Sequence, residues 1–379
     1  MNVSARHIAL TASMALVAGL TIGAATAAHA SDGANESSVA FVQTNLDSNI
    51  AGRAKVTDSN LANGLGLAFP PGGPFWVNDN HSGVSTLYLG DGSIVPLVVT
   101  IPPPMGSQSG FVSSPTGMIW NPTSGFLVPG SKLPAAFIFD TEDGTISAWN
   151  LNVNASSAVI AVDNSPSGAV YKGLAFGTNV NGTHIYATNF HAGTVEVFDN
   201  QFAPVTTDGN FVDRHIPAGF APFGIQNIDG DLWVTYAKQD AAKHDDAGGP
   251  GAGFVDVFDT DGHLLRRFAE HGALNSPWGL ARAPYGFGQF SGDILVGNFK
   301  DGRINVYDSH GNFRGALRRP DGHPISIDGL WALEFGGGAK SSPESLYFTA
   351  GPDDETNGVF GVINAIPQAD DHGQADDHD

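Results

Sequence analysis

Apolar and polar residues alternate with a period of two in short runs along most of this chain, and the runs come in pairs. "FWVNDNHSGVSTLYL" begins at Phe75, "AFIFDTEDGTISAWN" at Ala136, "IYATNFHAGTVEVFD" at Ile185 and "ILVGNFKDGRINVYD" at Ile294. Each reads as two strands around a short polar turn containing glycine. "LWVTYAKQD…GFVDVFD", Leu232 to Asp259, is the same unit with an enlarged turn, and "LYFTAGPDDETNGVFGVIN" from Leu346 is a sixth copy. A shorter strand with a glycine precedes each copy: "NGLGLAF", "SPTGMIW", "YKGLAFG", "APFGIQN", "SPWGLAR" and "DGLWALEF". A further strand follows, such as "IVPLVVTI" or "LLRRFAE".

Four strands repeated six times, at a spacing of roughly 40 to 55 residues, predict an all-β fold, a six-bladed β-propeller. The sixth copy lacks a fourth strand of its own. "VAFVQTNL", Val39 to Leu46, is spare, and it is expected to pair as the outer strand of the last blade. That closure removes two open sheet edges. Gly66, Gly117, Gly173, Gly224, Gly279 and Gly329 are expected on or just before the innermost strands, where the backbones crowd the channel. Trp76, Trp149, Trp233 and Trp331 alternate with polar residues and read as packing between blades. Trp278 is placed to face the channel mouth.

The termini differ from this pattern. Residues 1–30 combine Arg6, an apolar run and the small-x-small site Ala28-His29-Ala30, which reads as a secretory signal peptide cleaved near Ala30. The propeller is expected over 39–366. An acidic, unstructured tail is expected over 367–379, where "DDHGQADDHD" holds five aspartates. No other run is apolar and long enough to span a bilayer. The absence of cysteine excludes a disulfide framework and Cys-ligated metal sites. The formal charge of −21 disfavours nucleic acid and anionic lipid as partners. A secreted monomer, periplasmic or extracellular, is the expectation, with a small molecule, a glycan or an extracellular protein as ligand.

In such a ring, the turns between second and third strands share a face with the connections between blades. The turn of the fourth blade lies within "AKQDAAKHDDAGGPGAG", Ala237 to Gly253. Its unit runs 28 residues, against 15 in the third and fifth blades. An insertion of this size on a rigid scaffold points to binding or to a lid. Its Asp240, His244, Asp245 and Asp246 are candidate metal ligands, the first two on one face if "KQDAAKHDD" forms a helical turn. Asp79, Asn189 and Asn298, from matching positions, complete the candidate set. Oxygen donors of this kind suit calcium, and the histidine would also suit zinc or manganese. The competing reading is that Lys238 and Lys243 neutralise the aspartates and the loop caps the channel. Asn80, Asp140, Lys238, Lys243, Trp278 and Lys300 are candidate ligand contacts at the mouth, and Glu142, Asp143, Asp353, Asp354 and Glu355 are further polar residues of the same turns.

There is no Gly-x-Ser-x-Gly, no His-Glu-x-x-His and no phosphate-cradling glycine loop. The stretches "FVQTNLDSNIAGRAKVTDSNLANGLGLAF", "PFWVNDNHSGVSTLY" and "WVTYAKQDAAKHDDAGGPGAGFVDVFD" resemble a family of exported bacterial propeller proteins, some of which end in a PEP-CTERM surface-sorting signal. The resemblance spans Phe41 to Ile366, and the charged insert is its most distinctive segment. This chain carries an acidic tail where those members carry the sorting signal, which implies free secretion. The blades are more distantly similar to NHL-repeat propellers and to the senescence-marker/gluconolactonase group, whose lactonases hold a divalent metal in the channel. The expected function is a binding scaffold that uses the channel-mouth face. The alternative is a divalent-metal-dependent hydrolase or lactonase acting on a small ester or lactone, and a lyase of the amidating or strictosidine type is a third reading.

Overall fold

A computed structural model describes residues 39–367, and they form the expected six blades. The segment read as a signal peptide, and all but the first residue of the segment expected to form an acidic tail, lie outside the described residues. Each blade is an antiparallel four-stranded sheet ordered from the channel outward. The innermost strands are Gly64–Ala68, Pro115–Trp120, Tyr171–Asn179, Phe220–Ile228, Pro277–Arg282 and Leu330–Phe335. Val39–Ser48 pairs antiparallel with Val359–Pro367 and supplies the outer strand of blade six, as the spare N-terminal strand predicts. A two-residue strand, Val56–Thr57, runs parallel to its outer edge. Among the described residues, no helix is long and apolar enough to cross a membrane.

The period-two pattern works because each blade packs on both faces. Aromatic clusters fill the spaces between neighbouring blades. Trp76 stacks on Phe137 at 4.1 Å and contacts Trp149 between blades one and two. Trp233 meets Phe268 at 4.6 Å between blades four and five. Phe75 lies 4.4 Å from Tyr347 between blades one and six. Trp331 departs from the expected packing role. It sits in a separate cluster at the channel mouth, with Leu65, Phe190, Phe223, Phe299 and Trp278.

Every innermost strand breaks register with its second strand at the same place: Gly64/Leu67, Pro115/Met118, Tyr171/Leu174, Pro222/Ile225, Pro277/Leu280 and Leu330/Leu333. These bulges hold Gly66, Gly117, Gly173, Gly224 and Gly279. A Cβ on Gly66 would lie 2.2 Å from Thr116 O, and one on Gly224 2.2 Å from Trp278 O. Glycine is therefore required by the closeness of the next blade. Gly329 precedes the sixth inner strand instead, and Ala332 occupies the repeat position there.

Closure depends on Phe41. It is 1% exposed and lies 5.0 Å from Phe287 and 5.9 Å from Phe290, side chains of the loop between the first two strands of blade five. Its neighbour Val42 faces outward, 38% exposed. Phe41→Ala should lower unfolding free energy by about 3–5 kcal/mol. Val42→Ala should cost under about 1 kcal/mol by loss of surface packing. Urea unfolding of both variants measures the contrast, and equal costs would remove the N-terminal strand from the closing role.

Candidate functional site

Each bulge turns the residue before it toward the channel mouth. That position holds Leu65, Thr116, Lys172, Phe223, Trp278 and Trp331. The apolar members, with Phe190 and Phe299 from adjoining turns, fill the mouth. Phe299 stacks on Trp331 at 4.1 Å, and Trp278 meets Trp331 edge-on at 5.9 Å. Trp278 donates from Nε1 to Lys172 O at 3.0 Å and packs, partly buried, against this cluster.

Lys172 is the one charged member of this ring, and its side chain is 3% exposed. Its Nζ pairs with Glu142 Oε1 and reaches Asp245 Oδ1 at 3.2 Å. Burial opposes the ammonium charge, but the carboxylates of Glu142 and Asp245 outweigh it and hold the lysine above its ordinary value. Glu142 also accepts from Asn80 Nδ2 at 3.2 Å. Asn63 donates to Glu355 Oε2 at 2.8 Å and accepts from Trp331 Nε1 at 2.9 Å. Burial and the nearby Glu142 push Glu355 upward. A polar network thus overlies the aromatic floor, built from blades one, two, three, four and six.

The insert joins this network in an arrangement that corrects two expectations. "KQDAAKHDD" forms no helical turn. It extends the β-hairpin, with Gln239 bridged to Asp246 and Lys243 in the left-handed region at φ 57°. Asp240 caps the tip by accepting from His244 N at 2.9 Å. Lys238 and Lys243 are exposed and make no ion pair among the described residues, so they do not neutralise the insert. That task falls to lysines of other blades. Asp245 pairs with Lys172, while Asp246 accepts from Ser276 Oγ and lies 3.2 Å from Lys300 Nζ. His244 Nδ1 is 3.1 Å from Asp245 Oδ1, which raises the imidazole and holds the carboxylate well below its usual range.

The metal candidates are not brought together. Asp240, His244, Asp245 and Asp246 are engaged separately, as above. Asp79, Asn189 and Asn298 end second strands and are buried. Asp79 accepts from Thr86 Oγ1 at 2.7 Å. Asn189 Oδ1 accepts from Val170 N at 3.3 Å and Asn298 Oδ1 from Asn275 N at 3.1 Å, which anchors the chain entering the inner strand. Among the described residues, no group of three or more His, Asp or Glu is placed to hold one metal ion.

Asp140 is also withdrawn from the mouth. It is fully buried, and its Oδ1 lies 2.9 Å from Thr116 Oγ1, which is itself 2.8 Å from Tyr171 O. One hydroxyl hydrogen cannot serve both acceptors. Burial pushes Asp140 from 3.8 to about 7, against the opposing hydrogen bonds from Thr116 and the Gly117 backbone.

No family model matches the chain. Uncharacterized protein R648 of Acanthamoeba polyphaga mimivirus is 31% identical over 327 residues, covering 84% of this chain and 78% of that protein. The chain belongs to the family of this viral protein. Uncharacterized protein R640 of the same virus is 34% identical over 241 residues, and the matched part spans 44% of its length. Among solved structures, a catalytically inactive virginiamycin B lyase from Staphylococcus aureus with quinupristin superposes with a TM-score of 0.51 at 12% identity, over 87% of this chain and 100% of that one. That likeness concerns the propeller fold.

Asn80, His244, Asp245, Asp246, Trp278 and Lys300, all named from the sequence, take part in this network, but two residues central to it were not named. Lys172 and Asn63 carried no local signal. Lys172 could have been found as the one charge at a repeat position otherwise apolar or small. Lys172→Met would leave Glu142 without its cation and should cost about 3–5 kcal/mol in urea unfolding. Lys172→Met/Glu142→Gln should recover more than half of that loss. For Asp140, the folded carboxyl binds its proton more tightly than the unfolded one, so its stabilisation is complete below pH 3.8 and fades as pH rises through about 7. Asp140→Asn should therefore reduce the fall in stability between pH 4 and 7, by roughly 1–3 kcal/mol, in denaturant titrations at each pH.

Proposed function

We propose that this protein is a secreted binding propeller, cleaved near Ala30, whose channel-mouth face receives a small-molecule, glycan or extracellular protein ligand. The supporting observation is that the mouth is filled and latched. Aromatic side chains occupy the channel, and Lys172 and Lys300 tie the insert across it. Such a face offers a stable relief rather than a deep cleft, and propellers place binding on their rigid loop faces. Beside the latch, the connection from blade one to blade two runs over the same face and leaves Met105, Phe111 and Val112 exposed. Apolar side chains next to fixed charges are the composition of an interaction surface. Support for export comes from the leader-like N-terminus and the resemblance to exported bacterial propellers, whereas the mimivirus relatives R648 and R640 are viral.

The hydrolase or lactonase reading keeps one favourable feature. Glu142 and Asp245 converge on Lys172 Nζ, and His244 pairs with Asp245, so carboxylates and an imidazole stand at the mouth, although among the described residues no three of them are placed to hold one ion. A decisive experiment pairs two assays on the purified mature chain. The first is a glycan-array and extracellular-protein binding screen with wild type, Phe111→Ser/Val112→Ser, and Val180→Ser on a loop of the opposite face. The second is turnover of lactones and aryl esters with and without calcium, zinc or manganese. Binding lost at least tenfold in the Phe111/Val112 variant and kept in Val180→Ser supports the proposal. Metal-dependent turnover abolished by Glu142→Gln or His244→Ala overturns it in favour of the hydrolase.

A further inference from the structure

The opposite end of the channel differs from the mouth. There the inner strands open into a cavity of about 230 Å³. Leu67, Phe69, Met118, Trp120, Leu174 and Phe176 wall it, with Gln226, Asn227 and Glu334 as its polar groups. Glu334 and Gln226 occupy the same repeat position in blades six and four, two residues after the bulge. They reach across the channel, where Gln226 Nε2 donates to Glu334 Oε1 at 2.7 Å. Both also line a smaller space of about 30 Å³ further in, room for about one water, so the pair forms the floor of the outer cavity.

An inventory of donors and acceptors defines what this cavity can hold. Asn227 is held by the backbone, since Nδ2 donates to Phe176 O at 2.7 Å and Oδ1 accepts from Gly230 N at 2.9 Å, and it adds no charge. Glu334 makes no ion pair among the described residues, and its Oε2 has no protein donor there. The Gln226 carbonyl oxygen is likewise without a donor. Two acceptors, one of them a carboxylate, therefore meet in an apolar cup that supplies no cation. Burial pushes the Glu334 carboxyl up to about 7, opposed only by the hydrogen bond from Gln226. A carboxylate without a counter-ion among aromatic walls is completed by a cation that donates hydrogen bonds and carries an apolar body.

We propose that this lower cavity is a binding site for a small apolar amine, taken in its ammonium form. The ammonium donates to Glu334 Oε2 and Gln226 Oε1, and the apolar body lies among Trp120, Phe69 and Phe176. The site is separate from the channel-mouth face and does not depend on what that face binds.

The test titrates the mature protein with 2-phenylethylamine and, in parallel, with 2-phenylethanol, which has the same ring and chain but no charge. Calorimetry gives the affinities, and tryptophan fluorescence reports occupancy beside Trp120. Wild type should bind the amine at about one per chain and at least tenfold more tightly than the alcohol. Glu334→Gln should remove that preference. Ala68→Trp, which fills the cavity, should abolish binding of both while circular dichroism stays that of wild type. Phe111→Ser/Val112→Ser should leave amine binding unchanged. Equal affinity for amine and alcohol, no saturable binding, or a preference surviving in Glu334→Gln would each overturn the proposal. The amine–alcohol contrast in wild type decides the matter even if a variant fails to fold.

Discussion

A break in the hydrogen-bond ladder of each innermost strand governs the rest of this molecule. Six strands converge on a narrow axis, and the ladder to the second strand skips at one repeated position in all six. A bulge releases carbonyls that must find other donors once buried. Here the adjoining blade provides several of them. Asn78 of blade one donates to Thr116 O and Gly117 O at 3.1 and 3.0 Å. Thr188 of blade three donates to Phe223 O at 2.7 Å, and Thr349 of blade six to Leu65 O. The ring is thus joined by polar clasps near the axis and by aromatic packing further out. In five blades the same bulge requires glycine on the side of the adjoining blade, alanine serving in the sixth, and it turns the preceding side chain to the mouth. Fold closure and the identity of the mouth residues have one origin.

The charged insert is understood through that geometry. A hairpin tip with several aspartates would repel itself if left alone. Its partners are Lys172, from a bulge position, and Lys300, from the turn of blade five. Burying Lys172 is costly unless good hydrogen-bonded partners surround it. Glu142 from one blade and Asp245 from another provide them, and Asn80 holds Glu142 in turn. The insert therefore completes the coordination of a lysine that the ring itself places. Its length is what that reach requires.

How much of this was legible in the sequence follows from the range of the interactions. Alternation, turn glycines and the spare strand at Val39 act locally or through register, and they described the six blades and their closure correctly. Pairing across the mouth acts over long sequence separations. Lys238 and Lys243 are near the aspartates in sequence, but the hairpin turns them outward. Asp79, Asn189 and Asn298 lie at the expected ends of second strands, yet their polar atoms fold back to hold their own blades. Trp331 was misread because blade six has Ala332 where the others have glycine. Aligning on Gly329 concealed that Trp331 occupies the mouth position. Glu142 and Glu355 were visible as polar turn residues, but nothing local distinguished them from ordinary turn formers.

Polar departures from the inner-strand pattern carry the remaining information. Two residues after the bulge, the repeat position holds Ala68, Ile119, Ala175 and Ala281 in four blades, and Gln226 and Glu334 in the other two. At the mouth position, Lys172 is the one residue that carries a charge. A charged group near the axis of a propeller costs desolvation wherever it stands, and the local rules of the fold do not ask for it. Lys172 is compensated within the chain, by two carboxylates and a latched hairpin. Glu334 is compensated by a single amide. The two ends of the channel are therefore unequal in a specific sense. The upper end is electrostatically closed by the protein's own residues, while the lower end keeps an acceptor pair in an apolar cup and leaves its counter-charge to be supplied from outside.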